Sequence, residues 1–139
     1  MRKLILLVVS FALILSACGG NDPEYDFTTA EGIKAYTEAY FEKDSSVTIK
    51  SVTVNENAEQ PGEFIEVINL TWNNENDEEL SKSASQSTSD MFVTDIQEKA
   101  PDLTRIVTNI DVPHLSGHGK IEYSRSGDQF GIDDLFYSF

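Results

Sequence analysis

The two histidines of the chain, His114 and His118, enclose Ser116 in one short segment. Two imidazoles at this spacing could form part of a zinc site, or one could act as a base for the Ser116 hydroxyl with Asp111 behind it. Neither arrangement is complete, because zinc normally takes four ligands and the segment offers no thiolate. Solvated or loop-packing histidines are the simpler interpretation. We therefore predict no catalytic residue, no metal ligand and no cofactor here.

The densest polar run, residues 73–79 (Asn-Asn-Glu-Asn-Asp-Glu-Glu), presents oxygen atoms at alternate positions that could bind calcium. The run lacks the spaced glycine and the distal bidentate glutamate of an EF-hand loop. The better interpretation is that Asn74 or Asn76 caps a helix whose acidic first turn lies at the positive end of the dipole. Common hydrolase and phosphate-binding motifs are also missing, so we predict that the protein is not an enzyme.

Aromatic side chains suggest a further chemistry, the binding of a small ligand in an aromatic pocket. The candidates are Tyr36, Tyr40, Trp72 and Tyr123, with His114 and His118 at the rim. A sheet that curves around a helix can hold such a pocket. The same side chains at helical or strand spacing usually fill a core, so ligand binding is an alternative function.

Two helices and several strands must position these residues. Thr28 and Glu31 match a capping box, and Ile33, Tyr36 and Tyr40 then follow one helical face. A second helix should run to Pro101, with its serine-rich half, residues 81–89, as the weak part. Alternating apolar residues predict strands over 47–54, 64–72, 103–112, 120–125 and 129–133.

Details of these strands set the expected fold. A bulge near residues 50–51 reconciles the alternation of the first strand, and the apolar tail 135–139 should dock on the sheet. Short connections favour antiparallel pairing. We predict an α+β domain with an antiparallel sheet of four to five strands packed by two helices, in the order α-β-β-α-β-β-β. This order resembles the cystatin-like group of small α+β folds, which also occur in bacterial lipoproteins.

The N-terminus has the pattern of an export signal, since Arg2 and Lys3 precede an apolar run over residues 4–15. As a helix this run covers roughly 18 Å, well short of the ~30 Å hydrocarbon core. A stable membrane-spanning helix is therefore not expected.

Residues 15–18 (Leu-Ser-Ala-Cys) resemble the lipobox of bacterial lipoproteins at all four positions. The resemblance implies that Cys18 carries a diacylglyceryl group on its sulfur and that cleavage precedes it. Two acyl chains give a stable anchor, whereas one holds a protein only marginally. An ordinary signal peptide with a chance cysteine, or a buried core cysteine, is the alternative. The expected organisation is a signal peptide (1–17), a lipidated tether (18–27) and one domain (28–139).

The net charge of the chain limits the classes of partner that it can bind. The sequence has 10 Lys and Arg against 24 Asp and Glu; cleavage before Cys18 removes Arg2 and Lys3, which leaves a formal charge of −16. Such a charge argues against nucleic acid and against electrostatic docking on anionic lipid. Cations or a basic protein partner are compatible with it.

These features together predict a lipoprotein held by Cys18 at the extracytoplasmic face of a bacterial cell membrane. Its domain is expected to be a noncatalytic binding or interaction module that contacts a protein or another component of the cell envelope. A small ligand-binding or catalytic domain and a divalent-cation-binding surface protein are the alternatives.

Overall fold

The structure, a computed structural model, describes residues 23–139. Its elements are α1 (Ala30–Glu42), β1 (Val47–Glu56), β2 (Phe64–Trp72), α2 (Glu78–Lys99), β3 (Leu103–Val112), β4 (Gly117–Ser126) and β5 (Gln129–Ser138), with a 3-10 turn over Pro113–Leu115. This order is the predicted one. The predicted signal peptide and Cys18 lie outside the described residues. Within residues 23–139, neither helix is long and apolar enough to cross a membrane.

The five strands form one mixed sheet in the order β1-β2-β3-β4-β5. Three neighbouring pairs are antiparallel, but β2 and β3 are parallel, which corrects the expected antiparallel sheet. The reason lies in the connection: the 22 residues of α2 carry the chain back to the starting end of the sheet. The predicted bulge in β1 is confirmed by a register shift between Ile49 and Ser51.

Both helices pack on the same face of the sheet. Thr37 of α1 reaches Glu66 on β2, and Ser89 of α2 reaches Thr108 on β3. The buried core between helices and sheet includes Ile33, Phe41, Ile68, Leu70, Phe92, Ile96, Ile106, Ile110 and Ile121. The opposite face of the sheet carries no helix of the described residues, so it is called here the uncovered face.

The helix ends differ slightly from the predicted ones. Thr29, and not Thr28, caps α1 by accepting a hydrogen bond from Gly32 N–H, because the Thr28 hydroxyl bonds to Asp26. Asp77 caps α2 in place of Asn74 or Asn76, since its carboxylate accepts the Leu80 N–H at 2.8 Å. Each cap still satisfies a backbone donor of the first turn.

The serine-rich half of α2 is continuous helix and not a frayed end. Ser81, Ser85 and Ser89 recur every four residues and are buried against the sheet. Their small side chains keep the helix close to the strands, and Ser89 lies 3.0 Å from the Thr108 hydroxyl. Tertiary packing thus outweighs the modest helix propensity of serine.

The predicted tether 18–27 includes residues that contact the domain. The ring of Tyr25 lies 5.2 Å from that of Tyr36, and Phe27 lies 5.0 Å from the same ring. These contacts place the first packed side chain at Tyr25, three residues before the expected start of the domain.

Candidate functional site

Tyr36 and Tyr40 of α1 lie at the contact between the two helices. The Tyr36 hydroxyl donates to the Asp95 carboxylate, and Lys99 Nζ lies 2.6 Å from the same group. Burial alone would raise the pKa of Asp95, but hydrogen bonds from Lys99 and Tyr36 outweigh it and hold that pKa below its ordinary value. Tyr40 packs edge-on against Phe92 at 5.2 Å. Both tyrosines therefore join α1 to α2.

Trp72 and Tyr123 are core residues. Trp72 is only 3 % exposed, and its buried indole N–H has no partner among the described residues. The Tyr123 hydroxyl donates to Asp90 Oδ1 at 2.7 Å, which ties β4 to α2. Burial raises the pKa of Tyr123 well above its ordinary value.

The two histidines have separate neighbours. His114 Nε2 lies 2.6 Å from the Asn76 carbonyl oxygen, so it joins the 3-10 turn to the segment before α2. His118 lies on β4, with its ring 5.8 Å from that of Phe136. Asp111 is in register with His118, but its carboxylate pairs with Lys50 Nζ at 3.2 Å. In the described part of the chain, hydrogen bonds do not connect these histidines to Ser116.

The six residues predicted to line a pocket are thus divided among three places: the contact between the helices, the core, and the end of the sheet near the 3-10 turn. A groove of about 650 Å³ does adjoin Tyr40. Its other walls come from α2, including Met91, Asp95 and Lys99, and neither Trp72 nor Tyr123 reaches it. The aromatic residues do not converge on one pocket.

Glu66 is a buried carboxyl group that the sequence analysis did not identify. It lies on β2, fully buried, with Oε1 2.6 Å from the Thr37 hydroxyl and Oε2 without a partner among residues 23–139. Burial raises the pKa of Glu66 to about 8. The available signal was its position, because it falls in the same alternation as the core residues Ile68 and Leu70.

The uncovered face of the sheet carries a network of polar cross-strand contacts. Lys120 Nζ lies 2.9 Å from Glu122 Oε2, and Arg105 pairs with the same carboxylate. The hydrogen bond from Lys120 is the main cause that lowers the pKa of Glu122. Beside it, Asn109 donates to Asn69 at 3.0 Å. On this face, Lys120 and Arg105 are therefore both paired with Glu122.

The edge strand β5 contrasts with this paired surface. Among the described strands only β4 neighbours it, so its outer backbone groups face away from the sheet. Ile132, Leu135 and Phe136 are 45 %, 44 % and 50 % exposed. Between them stand Asp133 and Asp134, at a register shift typical of a β-bulge. An exposed edge with large apolar side chains is a site where another strand can add.

Contacts at both ends hold β5 in place. The Tyr137 ring lies over Gly119, and its hydroxyl donates to the Lys82 carbonyl of α2 at 3.2 Å. At the other end, the Phe130 N–H donates to the Gln97 side chain at 3.3 Å, which covers that part of the edge. The prediction that the tail docks on the sheet is confirmed, and the exposed centre of β5 is the candidate interaction site.

Comparisons with known proteins add no relative. No protein-family model, no curated protein and no solved structure matches the chain. Among residues 23–139, no three His, Cys, Asp or Glu side chains lie close enough together to hold a metal ion.

Proposed function

We propose that this protein is a bacterial lipoprotein, anchored through Cys18 at the extracytoplasmic face of the cell membrane, that acts as a noncatalytic interaction module of the cell envelope. The anchor rests on the lipobox-like residues 15–18 and on the apolar run that precedes them. The domain packs from Tyr25 onward. Only six residues, 19–24, then separate the acylated cysteine from the first packed ring, which keeps the domain near the membrane surface.

The exposed centre of β5 is the observation that carries the interaction part of this proposal. Its three apolar side chains are held on a strand that is fixed at both ends, so binding would require little ordering of the strand. Strand addition to such an edge supplies backbone hydrogen bonds, and the flanking side chains supply selectivity. No chemical step is needed.

The cystatin-like resemblance belongs to this proposal as a statement about fold. It is supported by the element order and by the helices gathered on one face. The parallel pair β2–β3 is the feature by which the chain departs from the expected antiparallel sheet.

The two alternative functions have less support. A small ligand would have to bind in the groove beside Tyr40, where Asp95 and Lys99 are already paired with each other. A cation-binding surface would depend on the acidic side chains of the chain, and in their densest run, residues 73–79, Asp77 is occupied as the α2 cap.

Membrane fractionation tests the anchor. The native protein should remain in membranes after a high-salt wash, and a Cys18→Ala variant should be released. Retention of the variant in washed membranes would contradict a lipid anchor.

Site-specific crosslinking in cells tests the interaction. A photoreactive residue in place of Phe136 should yield a discrete crosslinked species. The same residue in place of Thr53, exposed on the strand at the opposite edge, should not. Equal yields at both positions, or no adduct at Phe136, would refute an interaction through β5.

A further inference from the structure

The centre of β5 offers apolar contacts on both faces of the sheet. Ile132 and Leu135 are in register with Tyr123 and Ile121, which point toward the helices. Phe136 is in register with Lys120 on the uncovered face. A strand added beside β5 would therefore meet large apolar side chains above and below its own plane.

The two carboxylates in the middle of this edge are weakly paired. Asp133 accepts a hydrogen bond from the Ser124 hydroxyl at 3.0 Å, which brings no positive charge. Asp134 lies 3.7 Å from Lys120 Nζ, but that ammonium group is closer to Glu122, at 2.9 Å. The Asp134 side chain is also 60 % exposed. The edge thus presents nearly two uncompensated negative charges between apolar side chains.

This charge pattern argues against a second copy of the chain as the occupant. Asp133 and Asp134 are the two central residues of the ten in β5. Two β5 strands paired antiparallel about a twofold axis would place these carboxylates opposite one another, and like charges directly opposite destabilise a sheet.

We propose that the β5 edge binds, as an added strand, an extended segment of a partner protein that has basic residues at its centre and bulky apolar residues on either side. Its basic residues would lie beside Asp133 and Asp134, and its apolar residues would cover Ile132, Leu135 and Phe136. This inference rests on the proposed function and names the chemistry of the partner. The strongly acidic chain also favours a basic partner at long range.

Peptide binding tests directly whether the β5 edge prefers a segment with basic residues at its centre. The probe is a fluorescent, end-capped peptide of about ten residues, the length of β5, with two central lysines flanked by isoleucine and valine. A matched peptide carries two central glutamates. The protein is the full chain with Cys18→Ala, purified in mild detergent. We expect the lysine peptide to bind at least about tenfold more tightly than the glutamate peptide.

Charge reversal supplies the matched variant. The Asp133→Lys/Asp134→Lys variant should bind the lysine peptide with about tenfold or more lower affinity than the native chain does. It should bind the glutamate peptide instead. Glu42→Lys/Glu98→Lys changes the net charge equally at exposed helix positions and should leave the preference intact. A lysine peptide with alternate backbone amides methylated should lose binding, because strand addition needs those donors.

Each contrary result has a defined meaning. If the native chain does not prefer the lysine peptide, or if the control variant loses the preference as well, the inference is wrong. It is also wrong if the methylated peptide binds normally, or if the native chain sediments as a dimer that Phe136→Ser dissociates. If crosslinking at Phe136 succeeds in cells but the native chain shows no preference between the peptides, this inference is wrong. The proposed function as an interaction module would still be supported, with a partner of different chemistry.

Discussion

Burial raises the pKa of Glu66, while the hydrogen bond with Thr37 acts in the opposite direction without cancelling it. The contacts of the Thr37 hydroxyl are compatible with a protonated carboxyl group. Thr37 Oγ1 lies 3.0 Å from the Ile33 carbonyl oxygen and 2.6 Å from Glu66 Oε1. A hydroxyl has one proton to donate, and the carbonyl can only accept. Both contacts are satisfied when the Thr37 hydroxyl donates to Ile33 and a protonated Glu66 donates to the hydroxyl.

The protonation of Glu66 makes the free energy of unfolding depend on pH. The size of this dependence follows from the pKa of Glu66, which is about 8 against an ordinary 4.5. Between these values the unfolded chain has lost the proton that the folded chain still holds, so stability falls as the pH rises. The slope is about 1.4 kcal/mol for each pH unit, or about 5 kcal/mol over the whole interval. Below pH 4.5 and above pH 8 this contribution is constant. Total stabilities of about 5–15 kcal/mol make the loss readily measurable.

The substitution Glu66→Gln tests this dependence, because it keeps the shape of the side chain and removes the ionisable group. Its extra amide hydrogen lacks a partner and should cost about 1–3 kcal/mol, equally at every pH. Urea unfolding from pH 5 to pH 8, followed by the fluorescence of Trp72, the single tryptophan, gives the free energy of unfolding of both proteins. The stability of the variant relative to the native chain should rise steadily across this range.

The control and the refutation use the same assay. Glu42→Gln removes an exposed carboxylate from α1, and its curve should stay parallel to that of the native chain. Carboxylates elsewhere affect all three proteins alike and cancel in the differences. If the Glu66→Gln and native curves were also parallel between pH 5 and pH 8, the reasoning from burial and from the Thr37 contact would be refuted.

Two further predictions concern the attachment of β5 and α2 to the sheet. Gly119→Ala should destabilise the fold by about 1–3 kcal/mol in thermal unfolding, because its Cβ would lie 2.5 Å from the Tyr137 ring. Gly131→Ala, where a Cβ meets open space, is its control and should be nearly neutral. Tyr123→Phe should cost about 1 kcal/mol in urea unfolding, because it removes the 2.7 Å hydrogen bond to Asp90; an unchanged midpoint would show that this bond adds no net stability.

The strands were the most predictable part of the fold. Alternation of Ile106, Ile110 and Val112 located β3 over its full length, and the change of parity after Ile49 located the β1 bulge. These are local properties, since neighbouring side chains of a strand point to opposite faces. Burial of one face then fixes the register of each strand.

The parallel pair β2–β3 was not predictable by the same means. Connection length favours antiparallel pairing when two strands follow each other directly, but α2 intervenes here and its path across the sheet decides the direction of β3. That path depends on packing between distant residues, such as Ser89 with Thr108. The same limit applies to the tyrosines, because spacing identified the buried face of α1 but gave no indication that Asp95 binds Tyr36.

The apolar tail shows most clearly where prediction from composition ends. Its hydrophobicity correctly indicated docking on the sheet. Gly119 has no side chain, so the Tyr137 ring can pack directly against the backbone at that position. Leu135 and Phe136 belong to the same five residues, yet each remains about half exposed because no described element lies beyond β5. Composition measures how much apolar surface a segment carries, whereas the position of β5 at the edge decides how much of it the fold can bury. The proposed selectivity of this edge for a partner of opposite charge rests on the apolar surface that is left exposed and on the two carboxylates beside it.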